Sequence, residues 1–408
     1  MIKNHKSSYL VIFVLTLSIF LVLPVIRAAA LPACTSSITA CCEITSAGTY
    51  TVTTPLTSTD PAGDCIDINA ANVNLFDAGN AITGPGGSTA TGIGINVMKK
   101  AKNAKLLLAD PNPSANTGST FISGFGTGIL VGSAPGLVLG GFDTENNAVA
   151  GLSLNGAKNC QIYAFDTDSN PIGLLMSGGS GCAIHDFGAD FNISLGISLS
   201  KVKSTNFYDF NADDTTSGTG IALSGSSSNR LSDFSVFRNS VDGLTLSSGS
   251  TKNMIYNFSA DNNSDTGIML NASNSNQIQD FDSYDNGNYG VWLEASNSNT
   301  VSYAFTFGNA LAGIYLGCSG NGPASMCSSS ASSKNTIQGA SAGNDGATPQ
   351  AYGVAVDISD LKNTLTGIGA SGDTVTDLLD NNPNCGTNIW ALTSAGATSP
   401  SSCIQTTP

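Results

Sequence analysis

Gly220-Ile221-Ala222-Leu223-Ser224 is followed seven residues on by Leu231 and three further by Phe234, and this reading decides the fold. Ile221 and Leu223 point one way along an extended strand while Ala222 and Ser224 point the other. The same phrase, glycine, aliphatic, any residue, aliphatic, begins at Gly128, Gly151, Gly173, Gly196, Gly220, Gly243, Gly267, Gly290 and Gly313, and again at Gly353 after an insertion. From Gly128 to Gly313 each start lies 22 to 24 residues after the last. A second apolar position follows in each unit (Ile162, Ile184, Phe207, Leu231, Ile255, Ile278, Val301), and three residues later usually a phenylalanine: Phe165, Phe187, Phe210, Phe234, Phe258, Phe281. A unit of this length has room for two or three short strands, and its glycine, serine, asparagine and β-branched residues leave no 3.6-residue helical pattern.

One such coil cannot bury its apolar side alone, so equivalent positions must stack on neighbouring coils. The expectation is an all-β, right-handed parallel β-helix of roughly 10 to 12 coils with disulfide-tied caps. A leucine-rich horseshoe is the rival, but its leucine frame and helical segments are missing. Two asparagine columns follow the repeat. One, five residues after the phenylalanine, holds Asn147, Asn170, Asn192, Asn239, Asn263 and Asn286, with Thr215 interrupting it. The other holds Asn229, Asn253, Asn276, Asn299, Asn335 and Asn363, with Cys160 and Cys182 earlier in the same column. Carboxamides stacked roughly 4.8 Å apart can hydrogen-bond from coil to coil and satisfy turn groups that would otherwise be buried unpaired.

On these residues the chain resembles the right-handed parallel β-helix repeat proteins of the pectate lyase-like superfamily. Gly48-Thr49-Tyr50-Thr51-Val52, Gly63-Asp64-Cys65-Ile66-Asp67-Ile68 and Asn72-Val73-Asn74-Leu75 are similar to the opening coils of secreted bacterial members. Asn384-Cys385-Gly386-Thr387-Asn388-Ile389-Trp390 with Cys403-Ile404 resembles their terminal segment. The resemblance implies a fold and little chemistry, because that group is mostly uncharacterised.

Residues 1–30 read as a secretory signal: Lys3 and Lys6, an apolar run from Tyr9 to Ile26, then Ala28-Ala29-Ala30 as a cleavage site. An uncleaved membrane anchor is the alternative, and Leu31-Pro32-Ala33-Cys34 has a lipobox outline. A cap and first coils are expected over 31–90, the solenoid over 91–370 and a C-terminal cap over 371–408. Ten cysteines, all beyond the signal, suit an oxidising compartment, and so a secreted or cell-surface location. Proximity suggests Cys318 with Cys327, Cys385 with Cys403 and Cys160 with Cys182, leaving Cys34, Cys41, Cys42 and Cys65 for two bridges at the N-terminal cap, a connectivity the sequence alone does not fix. Without the signal the chain keeps 12 basic against 29 acidic residues, a net charge of −17. Such a surface repels nucleic acid and anionic lipid; Lys99, Lys100, Lys102 and Lys105 read as a solvated edge.

Chemistry is sought where the repeat does not require a residue. Glu145, Asp168, Asp190 and Asp213 lie three residues after the aligned phenylalanine on successive coils, an oxygen-only column that could hold Ca²⁺ or remain a solvated acidic face. The outward positions of the glycine-led strand become large at Trp292 and Tyr315, with Glu294 beyond. These three are the candidate sugar-binding residues, aromatics stacking on a pyranose and the carboxylate taking its hydroxyls. The alternative is that the segment from Cys318 to Lys334 buries the aromatics as a satellite cluster.

A lyase needs a base and a cation, yet beyond the signal only Arg230 and Arg238 remain as arginines. A glycosidase needs paired carboxylates, for which Asp190, Asp213 and Asp214 are the candidates, although their surroundings do not match the polygalacturonase motifs. His185 beside Asp186 reads as a surface pair. Copper delivery, a role of some repeat relatives, is disfavoured because histidine and methionine are scarce. The leading expectation is a secreted or surface-attached protein that interacts with a polysaccharide or cell-surface glycan, as binder, lyase or glycosidase. The alternative is a non-catalytic spacer or adhesin.

Overall fold

The computed structural model describes residues 30–109, 119–318, 331–343, 350–400 and 402–404; the signal segment and most of the segment from Cys318 to Lys334 lie outside them. The strands wind into a parallel solenoid of about 14 turns. One sheet collects 15 strands, one per coil, from Cys42–Ile44 to Thr398–Ser399. The other collects 21 and carries the remaining two sides. Every pairing is parallel, with equivalent residues in register: Ile197 opposite Ile221, Leu199 opposite Leu223, Phe210 opposite Phe234. The count exceeds the 10 to 12 coils expected, because the first coils (Cys42–Ile44, Ile66–Ile68, Ile93–Val97) and the last lack the regular glycine–aliphatic spacing that makes the others readable. Their apolar residues nevertheless enter the same core.

The core is columnar. Phe142, Phe165, Phe187, Phe210, Phe234, Phe258 and Phe281 stack face to face with ring centroids 4.6–5.2 Å apart. The spacing is that of the coils themselves, so each ring meets its neighbours at van der Waals distance without adjusting the backbone. The column ends at Ala304, which pairs with Phe281 in register.

Both asparagine columns form ladders. Asn239 N–H donates to Asn263 Oδ1 and Asn263 N–H to Asn286 Oδ1, each at 3.0 Å. Asn309 and Gln350 extend that ladder. In the second, Asn229, Asn253, Asn276, Asn299, Asn335 and Asn363 run on to Asn388 in the same way. A third, made of serines, was not read from the sequence: Ser226 Oγ accepts from Val202 N–H, Ser250 Oγ from Ser226 N–H, and Ser332 Oγ from Ser296 N–H. The leading glycine of each coil has a steric origin in this arrangement. A Cβ on Gly220 would stand 2.7 Å from the Asn239 carboxamide and from Ala212 O, so ladder and glycine require each other.

The cysteines pair Cys34–Cys42, Cys41–Cys65, Cys160–Cys182 and Cys385–Cys403. Two of these lie at the N-terminal cap, one joins adjacent coils and one ties the tail. Cys318 is also in a disulfide; its expected partner Cys327 lies outside the described residues. Among the described residues no helix is long and apolar enough to cross a membrane.

Candidate functional site

In each coil the residue before the stacked phenylalanine turns the chain by entering the left-handed region. Asp186, Asp209, Asp233, Asn257 and Asp280 have φ of 53–58°. Aspartate and asparagine tolerate this conformation better than other residues with a Cβ, which explains why one column is so acidic. Register steps over the turn: Tyr163 pairs with His185 and Phe165 with Phe187, leaving Ala164 and Asp186 unpaired between them. The turn residues project into solvent. Across the turn, the residue after the phenylalanine forms a second outward column that includes Asp166, Asn211, Ser235 and Asp282.

Between the columns runs an open groove. A stretch of about 570 Å³ is bordered by Asp166, Asp186, Asp209, Asp213 and Asp233. It meets a stretch of about 500 Å³ bordered by Asn257, Asp280, Asp282, Tyr303 and Phe305. The two share Asp233 and Phe234, and the Asn257 carboxamide donates to Asp233 Oδ1 at the junction. From Asp166 to Phe305 the groove crosses seven coils, roughly 30 Å at the spacing of stacked strands. At its far end the column of turn residues delivers Tyr303, 56% exposed, and the next outward position delivers Phe305, 47% exposed. Tyr303 has φ 53°, a conformation that a bulky side chain occupies only at a cost. Sequence reasoning missed this pair. The available signal was Ala304 standing in the phenylalanine column with an aromatic on either side.

The expected acidic column is a ladder of a different kind. Asp168 Oδ1 accepts from Asp190 N–H at 3.0 Å, Asp190 Oδ1 from Asp213 N–H at 2.9 Å, and Asp213 Oδ1 from Phe237 N–H at 2.7 Å. The Asn211 carboxamide donates to Asp190 Oδ2, and Ser235 Oγ to Asp213 Oδ2 at 3.0 Å. Glu145 sits in register with Asp168 at the start of the column. Burial pushes the Asp190 carboxyl up to about 7, helped by the charges of Asp213 and Asp168 and opposed by the Asp213 N–H; burial also raises Asp168 and Asp213. Of the column, Asp213 borders the groove directly. Asp214 is held by Arg238 in a two-pronged ion pair of 2.7 and 2.6 Å. Among the described residues no three His, Cys, Asp or Glu side chains gather around a point that could hold a metal.

The expected aromatic platform lies elsewhere, on the 15-stranded sheet. Register aligns Met269, Trp292 and Tyr315 as the period requires, but Tyr315 is not available to a ligand. Its ring is fully buried against Tyr289, centroids 4.9 Å apart, and its hydroxyl donates to Asp357 Oδ2 at 2.5 Å. Trp292 is half-buried beside them, and its Nε1–H donates to Gly317 O at 2.8 Å. With Ala312 and Ala355 they form a small apolar cluster separate from the main core. Burial raises the carboxyl of Glu294, which lies two residues beyond Trp292 on the 15-stranded sheet and does not line the groove.

The solved structures that share the fold over most of the chain include the following two. They are the A-modules of the Azotobacter vinelandii mannuronan C-5 epimerases AlgE6, with a TM-score of 0.54, 16% identity and coverage of 88% of this chain and 90% of that one, and AlgE4, with 0.52, 13%, 88% and 89%. A family model described as periplasmic copper-binding protein (NosD) matches residues 211–338. No curated protein matches. The chain is a right-handed parallel β-helix protein. The copper of the family description finds no donor set among the described residues. His185 Nδ1 is bonded to Asp186 at 2.8 Å, its ring lies between Tyr163 and Tyr208, and no cysteine among the described residues is free. Among the described residues the β-helix thus presents a long surface depression whose walls are acidic, with aromatics at one end.

Proposed function

We propose that this β-helix protein binds a polysaccharide chain lengthwise in the groove between the turn column and the outward column beside it. The observation that carries the reading is the exposed pair Tyr303 and Phe305 at the end of a linear, polar-walled groove. Aromatic rings offer a flat apolar surface to the axial C–H face of a pyranose, while carboxylates, Asn257, Ser235 and Ser259 exchange hydrogen bonds with its hydroxyls. Keeping Tyr303 in a left-handed conformation costs stability, as expected of a side chain held for a ligand. Solved structures of the same fold include proteins named for action on mannuronan, and the disulfides fit an oxidising, extracytoplasmic compartment.

A catalytic version of this reading draws on Asp213 at the groove wall, with Asp190 behind it pushed up to about 7 and therefore able to carry a proton near neutral pH. The test is a glycan array with the purified protein, with and without Ca²⁺, followed by product analysis of every glycan bound. Binding that falls at least tenfold in Tyr303→Ala and Phe305→Ala supports the groove. Shortened or unsaturated products would add lyase or glycosidase activity. No binding to any glycan would sink the reading in favour of a spacer or adhesin.

A further inference from the structure

The groove's walls specify the charge of what lies in it. Asp186, Asp209, Asp233 and Asp280 project from one wall, all exposed, with Asn257 the one neutral member of the run. Asp166, Asp213 and Asp282 face them from the other wall. No lysine or arginine lines either stretch among the described residues. Both arginines of these coils are engaged: Arg238 closes on Asp214 and lies over the Phe237 ring, and Arg230 donates to the Tyr256 hydroxyl, while the His185 ring turns to Asp186 at one end. Seven carboxylates therefore face one channel with no positive side chain between them.

Resting on the proposal above, we infer that the groove takes a linear amino-sugar polymer with free ammonium groups, and discriminates against polyuronates. The turn column presents one polar side chain per coil, roughly every 4.8 Å, close to the advance of one pyranose along an extended chain. A glycan with an ammonium on each residue can therefore meet a carboxylate at nearly every step. Lying parallel to the solenoid axis, it repeats the same contact instead of needing a separate pocket for each sugar. Tyr303 adds a ring face able to hold an ammonium or the C–H face beside it. A polyuronate laid in the same place sets like charge against like charge at each step, which selects against it even where its rings fit.

The experiment is calorimetric titration of the intact protein with three hexasaccharides in mildly acidic buffer of low ionic strength: β-1,4-linked glucosamine, its fully N-acetylated counterpart, and mannuronate. The glucosamine hexamer is expected to bind at least tenfold more tightly than the acetylated one, and mannuronate not measurably. Raising the salt should weaken glucosamine binding and spare the acetylated hexamer. Asp209→Asn, Asp233→Asn and Asp280→Asn are compatible with the fold, because Asn257 already occupies this turn. Each should weaken glucosamine binding by about two- to fivefold, and the triple variant should bring it down to the acetylated level. Equal affinity for the charged and acetylated hexamers, or tighter binding of mannuronate, overturns the inference while leaving glycan binding in the groove intact. Silence from all three also overturns the inference, and the groove reading is then decided by the glycan array.

Discussion

Asp213 gives its backbone N–H to the carboxylate of Asp190, one coil away, at 2.9 Å. A side chain that could have been a free acid on the surface is thereby fixed as a rung, and its titration becomes part of the stability of the fold. Burial lifts Asp190 from 3.8 to about 7. Between those values the folded protein retains a proton that the unfolded chain has released, so its contribution is complete at low pH and is lost as the pH rises through about 7. Asp67, Asp360 and Asp373, also pushed up to about 7, and Asp143 and Asp242, up to about 6, act in the same direction. Calorimetric Tm should therefore fall between pH 5 and pH 8. Asp190→Asn, which keeps an oxygen for the Asp213 N–H, should recover about 1 kcal/mol at the upper end after allowance for solvent screening. A Tm that climbs across that range contradicts the assignment.

The carboxamide ladder makes a sharper demand. Asn263→Ala strips the acceptor from Asn239 N–H and the donors to Val236 O and Asn286 Oδ1. All are buried, so the loss should reach about 3 kcal/mol in urea unfolding. The converse change is a gain. Thr215 interrupts the ladder, and its Oγ1 is buried without a partner; Thr215→Asn should add about 1 kcal/mol by completing the column.

Phe234 lies between Phe210 and Phe258 at 4.8 and 4.6 Å. Phe234→Ala opens a void in the stack and should cost about 3–5 kcal/mol. In a solenoid the damage stays near the altered coil, so limited proteolysis should cut first within the coils around residue 234, and cutting only at the termini would count against a locally held stack.

Trp292 and Tyr303 should separate stability from binding. Trp292→Ala removes a half-buried ring and its bond to Gly317 O, and should cost about 2–3 kcal/mol, somewhat less than for a fully buried aromatic. Glycan affinity, read by titration, should not change. Tyr303→Ala should leave Tm unchanged or raise it slightly while abolishing most of the affinity. Loss of binding in the Trp292 variant at unchanged Tm would return attention to the other sheet.

The repeat made the solenoid legible because every coil obeys the same steric bargain between glycine, asparagine and phenylalanine. Both asparagine ladders could be drawn from spacing alone. The serine ladder could not, since Ser226 and Ser250 resemble the many serines on the surface until backbone geometry turns their hydroxyls inward. Asp168 and Asp190 show the same limit, because a column of acids in the sequence does not reveal that its oxygens take N–H groups of the next coil. Periodicity correctly sent Tyr315 away from the solenoid core, but it says nothing of what covers an outward face. Tyr289 and Ala355 come from neighbouring coils and bury that ring. The groove and its aromatic end lay in an exception, Ala304, which a search for regularities passes over.

The left-handed turn before each phenylalanine also has an evolutionary consequence. Because the turn, the ladder rung and the outward carboxylate all belong to the same stretch of about two dozen residues, copying that stretch in the gene lengthens the channel by one step and adds one more contact without disturbing the others. Selection can thus tune reach by counting units, as a ruler is extended by adding divisions, instead of reshaping a pocket residue by residue.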